Sequence, residues 1–549
     1  MEPERGPGPD IERLWVEVET GRLDEAATTA ARLLVTARDR AERAEAEGAI
    51  AFMLMRMGRT AEAATRLRSA ADLAVEPAVK GIHLARAAQA VFLTGGMEAS
   101  QLLAAQARIE GERGHDPNVV AEASAASAAV VHACGDPVRA ARLAHRARSL
   151  AGTEGPAATS HAVAAMILSA ALADADRLAD AEKALGDAVQ VCRLGGAEPA
   201  LPLLLAFRAV VRLLGGDWPG AEHDCRDLVS LGESTAHRIA SPVGWGVGAL
   251  IAAGRGDIVS ARQFLAEAGT HRLSPLGPYG EEWVLLGRAV TAGDFAEGQR
   301  HLVGAWYCSR QRPWFLLWRV LAPTLVRSSL RLGEQTLAAD VAGAAAEGAE
   351  LAGVIGAHAC ADQCAGLLDG DVGLLARARE GYAEARRPYW QAKADVDLAR
   401  AWMDRGDAPR AVQLLREATD VFHDLGATRT AAQAGVLLAH AAGARPPQPR
   451  APHPLERLTR AERLVAVRAG RGKTNPQIAD ELALSTRTVQ AHLSNIYAKL
   501  AIASRVQLAA VLATHDLSPQ AAGPQEQGAA EEPPPRARAL GHLADAVGG

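Results

Sequence analysis

Aromatic side chains are scarce in this chain: only 4% of its 549 residues are Phe, Trp or Tyr. The apolar fraction, 49%, therefore comes mostly from Ala, Leu and Val. Such residues suit closely packed helices better than sheets. Long apolar runs are missing too. The richest, LPLLLAFRAVVRLL from Leu201, is broken by Arg208 and Arg212, whereas a membrane helix needs about 18 or more apolar residues in succession. The opening MEPERGPGPD has neither a basic start nor an apolar stretch, so no secretory leader is expected. Six cysteines scattered over the whole length make no disulfide framework and fit a reducing cytoplasm. A length of 549 residues points to several domains or an extended repeat array.

Catalytic and metal signatures are equally thin. No serine-histidine-acid set, nucleophile elbow or paired-carboxylate motif stands out, and no alternating strand-helix pattern would supply a receiver domain. An enzyme is not expected. His358, Cys360 and Cys364 in HACADQC lie within two helical turns but lack a fourth ligand, so no metal is assigned, and no cofactor either. Gly472-Lys473-Thr474 has the ending of a phosphate-binding loop, but Gly-x-x-x-x-Gly-Lys-Thr needs glycine at the place held by Val467. A capped helix, not a strand, precedes it.

What is present is a turn repeated eleven times. It falls at Gly21, Gly58, Gly96, Gly135, Asp176, Gly216, Gly256, Gly293, Gly333, Gly370 and Gly406, spaced by 36 to 41 residues. Glycine supplies the left-handed conformation that ends a helix, and a following Asp or Glu suits the next helix start. Five residues after the turn, alanine stands in eight of the eleven units, where a bulky side chain would hold two helices apart. A period near 38 divides into two helices of about 14 residues plus turns, the arithmetic of a helix-pair solenoid. The pattern resembles tetratricopeptide arrays, with a longer period and without their Trp and Tyr positions. The fold class is all-α: a TPR-like solenoid of about eleven helix-pair units over 11–440.

Such an array offers a concave surface to a peptide, protein or small molecule; the plainer alternative is a spacer. One local concentration bears on this. Trp306, Tyr307, Trp314, Phe315 and Trp318 all fall in WYCSRQRPWFLLW. They either fill a wide gap between small-residue helices or form an aromatic wall for a ligand or partner.

Periodicity stops after 440. The segment 441–454 is a proline-rich linker, and 516–549 a tail poor in apolar residues and expected to be disordered, like residues 1–10. Between them, 455–515 carries nine basic and four acidic residues, net +5, in a chain of net −5. A basic module on an acidic body is an electrostatic footprint for nucleic acid. Four helices can be placed from their caps: Thr459-x-x-Glu462, Thr474-x-x-Gln477, Ser485, and Ser504-x-x-Gln507. Only Ala483 and Leu484 separate the second from the third, the tight joint of a helix-turn-helix.

The third helix has two faces. Val489, Leu493, Ile496 and Leu500 recur at helical spacing and form its buried stripe. Opposite lie Arg487, Gln490, Ala491, Ser494 and Asn495. Gln490 can bond adenine N6 and N7 together, and Ala491 can meet a thymine methyl. Thr474, Ser485, Thr486, Arg487 and Thr488 at helix starts suit phosphate contacts, and Lys473, Lys499 and Arg505 are assigned with them.

The stretch LTRAERLVAVRAGRGKTNPQIADELALSTRTVQAHLSNIYAKLAIASRVQL resembles the DNA-binding domain of LuxR-type transcription regulators. Leu-Thr-x-x-Glu, Gly-x-Thr-Asn-x-x-Ile-Ala, Leu-x-x-Ser-x-x-Thr-Val-x-x-His-Leu and Ile-x-x-Lys-Leu carry the likeness. It implies that residues 486–500 enter the major groove, that Gln490, Ala491 and Ser494 face bases, and that the fourth helix pairs two copies on DNA. Gln490 departs from a frequent Lys, and Ala501 from a usual Gly. Repeats followed by this module are similar to the large ATP-binding LuxR-type regulators, including the maltose-activator type; here the ATPase is not expected. The resulting expectation is a cytoplasmic, nucleoid-associated activator that binds double-stranded DNA as a homodimer, with RNA polymerase and a small-molecule or protein ligand of the repeats as further partners and no membrane. The competing expectation is a scaffold whose C-terminal helices dock RNA polymerase or another partner without specific DNA binding.

Overall fold

A computed structural model describes residues 9–19, 22–37, 39–56, 59–154, 156–195, 200–231, 235–270, 280–311, 317–443, 458–470, 472–482 and 484–500, with 502, 504, 505, 507 and 508. Among these residues there are twenty-six α-helices and no strand. Two compact units divide the chain, Met1–Pro446 and Pro447–Gly549. The expected tail lies outside the described residues, as does most of the expected linker. The first helix, Pro9–Glu19, begins two residues inside the segment expected to precede the repeats.

Eleven helix pairs and one closing helix, Thr428–Ala441, make the first unit. Backbone φ is positive at Gly135, Asp176, Gly216, Gly256, Gly333, Gly370 and Gly406, seven of the predicted turns. Asp136, Asp217, Asp257, Asp371 and Asp407 then accept N–H bonds from the first turn of the following helix. All eight alanines five residues past the turn, Ala26, Ala63, Ala140, Ala181, Ala221, Ala261, Ala338 and Ala411, are 0% exposed. Their small size is what lets the paired helices approach, since extra methylenes in so close a contact cost about 1–3 kcal/mol.

Two turns differ from the sequence register. Gly95, not Gly96, takes the left-handed conformation at φ 87°, so the fifth residue on is Ser100, fully buried, with its hydroxyl donating to the Ala88 carbonyl at 2.8 Å. Gly293 is not left-handed; its N–H donates to Glu297 Oε2 at 3.1 Å instead. Gly21 and Gly58 lie outside the described residues.

The array does not remain an open arc. Its middle and its end pack together: a side chain at Gly216 would strike Leu425 and Pro388, and one at Gly135 would press on Leu351. Thr428 Oγ1 donates to the Arg255 carbonyl at 2.6 Å. One apolar core accordingly runs from Phe92 to Ala441. The Ala157–Asp174 stretch, apolar and long enough to cross a membrane by composition, is mostly buried within this body.

At the centre of the closure the turn after helix Pro156–Asp174 meets the starts of three later helices. Asp176 Oδ1 accepts from Arg319 Nη2 at 2.6 Å and from Arg387 Nε at 2.9 Å, while Oδ2 accepts the Gly356 N–H at 2.7 Å. Arg319 opens the helix Trp318–Leu332, Gly356 opens Ile355–Asp369, and Arg387 caps Pro388–Asp404. The same guanidiniums donate to the Asp174 and Ala173 carbonyls at 2.7 and 2.6 Å, capping the helix end. His132 Nε2 adds a 2.9 Å contact to Asp174 Oδ2.

Candidate nucleic-acid interface

In the second unit the helices Arg460–Gly470, Asn475–Leu482 and Thr486–Leu500 surround one small core. Leu458, Val465, Ala466, Ala469, Ile478, Ala479, Val489, Leu493, Ile496 and Leu508 fill it. The caps are as read. The Thr459 N–H donates to Glu462 Oε2 at 2.8 Å and the Glu462 N–H to Thr459 Oγ1 at 3.3 Å, a reciprocal capping box. The Thr474 N–H donates to Gln477 Oε1 at 2.9 Å, and the Thr488 N–H to Ser485 Oγ at 3.0 Å. Gly472, φ 83°, ends the first helix. Ser504 Oγ accepts the Gln507 N–H at 3.3 Å and starts a fourth helix, whose continuation beyond Leu508 lies outside the described residues.

Packing Val489, Leu493 and Ile496 inward turns the other face of Thr486–Leu500 to solvent. Thr486, Arg487, Gln490, Ala491, Ser494 and Asn495 are all exposed there. Arg487 has no hydrogen-bond or ion-pair partner among the described residues. Ser485 and Thr488 share a 2.7 Å hydroxyl contact at the helix start. This row is free of acids, and apart from Arg487 its side chains are short or planar.

The remaining predicted phosphate ligands have internal partners. Lys499 Nζ donates to both oxygens of Glu462, at 2.8 and 2.7 Å, tying the third helix to the first. Lys473 and Arg468 converge on Glu481, Arg468 Nε at 3.0 Å. Arg505 reaches inward, Nε to the Ala469 carbonyl at 3.2 Å, Nη2 to the Lys473 carbonyl at 2.5 Å and Nη1 to Asn475 Oδ1 at 3.3 Å. The Lys499 hydrogen bond, with the Thr459 N–H, holds the Glu462 carboxyl below its ordinary range. Lys473 and then Arg468 do the same for Glu481. Counting charges along the sequence gave no sign of these pairings, because the partners stand 8 to 37 positions apart.

The aromatic segment of the repeats divides. Trp306 is 5% exposed and belongs to the core, whereas Tyr307 beside it is 60% exposed. Trp318 is partly buried, with its ring against Gly348. Trp314 and Phe315 lie outside the described residues. Cys360 and Cys364 are buried, and no group of three His, Cys, Asp or Glu residues fit to hold a metal occurs among the described residues.

Residues 456–512 match the family described as bacterial regulatory proteins, luxR family. A protein of Mycobacterium bovis, named as the HTH-type transcriptional regulator Mb0914c, is 33% identical over 236 residues, 40% of this chain and 24% of its own. The chain thus spans about a quarter of that relative's length. The uncharacterized transcriptional regulatory protein YhcZ of Bacillus subtilis is 41% identical over 61 residues, 11% of this chain and 28% of its own. Among solved structures, a signal transduction ATPase with a tetratricopeptide repeat sensor from Pyrococcus horikoshii aligns with TM-score 0.36 at 13% identity, covering 57% of this chain and 49% of the other. A human IFIT1 dimer with m7Gppp-AAAA aligns with TM-score 0.36 at 13% identity, covering 80% and 96%.

Proposed function

With residues 456–512 forming a luxR-family helix-turn-helix module, we propose that the chain is a sequence-specific DNA-binding transcription regulator, acting as an activator in the cytoplasm at the nucleoid. The observation that carries this is the exposed row Arg487, Gln490, Ala491, Ser494 and Asn495 set against the buried Val489, Leu493 and Ile496. Thr486–Leu500 enters the major groove. Gln490, Ala491 and Ser494 read base edges, while Arg487 and the hydroxyls of Thr474, Ser485, Thr486 and Thr488 fix the docking on phosphates. Two copies bind two-fold related half-sites, paired through the fourth helix. The repeat body receives a small-molecule or protein signal, and RNA polymerase is the downstream contact.

Footprinting of the full chain at several salt concentrations tests this. A protected site with affinity that falls steeply with salt is expected. If Gln490→Ala and Ser494→Ala leave sequence preference unchanged at equal folding, the base-reading assignment is wrong. The internal engagement of Lys473, Lys499 and Arg505 favours one rival, a scaffold that docks a protein through this module. That rival predicts no protected DNA at any salt.

A further inference from the structure

Three helices of the repeat body share one buried carboxylate. Asp397, on Pro388–Asp404, accepts from Arg327 Nε at 2.8 Å through Oδ1. Its Oδ2 accepts a second Arg327 hydrogen bond, from Nη2, and one from Gln363 Nε2 at 2.8 Å. Gln363 is itself fixed by the Tyr382 hydroxyl, which donates to its Oε1 at 3.0 Å. Arg400, one turn after Asp397, brings Nη1 to 3.8 Å from Oδ1. Lys393, one turn before it on the same helix face, is half-buried and has no hydrogen-bond or ion-pair partner among the described residues.

Three cations therefore surround a single acid whose hydrogen-bonding capacity is largely used by Arg327 and Gln363. The surplus is two positive charges, and Arg331 lies one turn beyond Arg327 on its helix. Burial, then repulsion from Arg327, pulls the Lys393 ammonium down to about 8. A half-desolvated ammonium among guanidiniums costs free energy unless something compensates it, and a charge held this way is a binding-site candidate. Arg400 remains exposed, so the cluster is open to solvent. The Tyr389 ring, one turn before Lys393, is packed against Trp218, Trp390 and Phe422 and closes the inner side of the cluster.

We propose that Arg327, Lys393 and Arg400 form a binding site for a small phosphomonoester, Asp397 serving to hold Arg327 in place. A phosphomonoester carries about −1.5 to −2 at pH 7 and three acceptor oxygens, matching the surplus charge and the donors of Lys393 and Arg400. This rests on reading the repeat body as the part that receives a signal.

The test uses the full chain, with glycerol 3-phosphate, inorganic phosphate and succinate as probes in calorimetry and thermal melts, at matched chloride. Glycerol 3-phosphate is expected to bind and to raise the melting temperature. Lys393→Met and Arg400→Met should each weaken it by about tenfold or more, the loss of one charge-assisted hydrogen bond. Lys393→Met should also melt, without ligand, at or above the wild-type temperature, because Met fills similar space with no charge to desolvate. A lower melting point with undiminished affinity assigns Lys393 to structure and overturns the site. So does the absence of binding by glycerol 3-phosphate, or binding of succinate or inorganic phosphate in its place. Calorimetric binding with DNA affinity unchanged supports the site and sinks the signal-receiving reading alone.

Discussion

Arg387 Nε donates to Asp176 Oδ1 at 2.9 Å across 211 positions of chain. The bond closes the repeat array on itself, with Arg319 and the Gly356 N–H completing the cradle around one carboxylate. Asp176 holds a left-handed φ of 60° at a turn where seven other units place a left-handed glycine. For a non-glycine residue that conformation costs about 1–2 kcal/mol, and the three partners explain why an acid stands there.

Replacing Asp176 by Gly separates the two effects. The strain is relieved, but Arg319 and Arg387 are left buried without their carboxylate, a loss of about 3–5 kcal/mol. Net destabilisation of the repeat body is expected in urea unfolding followed by far-UV circular dichroism, and Asp176→Asn should fall in the same direction. Unfolding of Asp176→Gly at higher urea than wild type would show that the closure is worth less than the strain. Burial pushes the Asp176 carboxyl up, but Arg319 and Arg387 pull further and hold it below its ordinary 3.8. Its contribution to stability is therefore fully present above pH 3.8 and is lost as pH falls below that value through the depressed one.

Local chemistry made the repeats legible. A left-handed turn, a capping Asp and a buried alanine recur within six residues, so a period emerges from the sequence even without similar helices. At Gly95-Gly96 two glycines compete for one place, and only the backbone decides between them. Closure was not legible, because Asp176 meets Arg319 and Arg387 across 143 and 211 positions and such pairing leaves no period. The same reason hid the pairing of Lys499 with Glu462: a basic residue near a helix end reads alike whether it faces phosphate or an acid 37 positions away.

Trp306 and Tyr307 are neighbours in sequence and opposites in environment. Trp306→Ala empties part of the core and should cost about 3–5 kcal/mol. Tyr307→Ala, at an exposed position, should change stability by no more than about 0.5 kcal/mol. Paired urea titrations check this. Equal, small effects would mean that the Trp306 side of the helix is not core, and would restore the aromatic wall as the better account of the whole segment.

Arg487 and Lys499 should respond oppositely to neutralisation, although both are cations on the third helix of the module. Arg487 is exposed and unpartnered among the described residues, so Arg487→Ala should weaken DNA binding across sequences and lower the salt slope by about one. Folding should be unaffected. Lys499 is bonded to Glu462, whose carboxylate also closes the capping box. Lys499→Met removes that partner and should lower the melting temperature of the module, with the salt slope of binding retained in the fraction that folds. Salt-dependent gel shifts on the two variants, read beside their melts, separate a phosphate contact from an internal tie. A Lys499→Met variant that melts like wild type but loses a full unit of salt slope would return Lys499 to the phosphate-facing set.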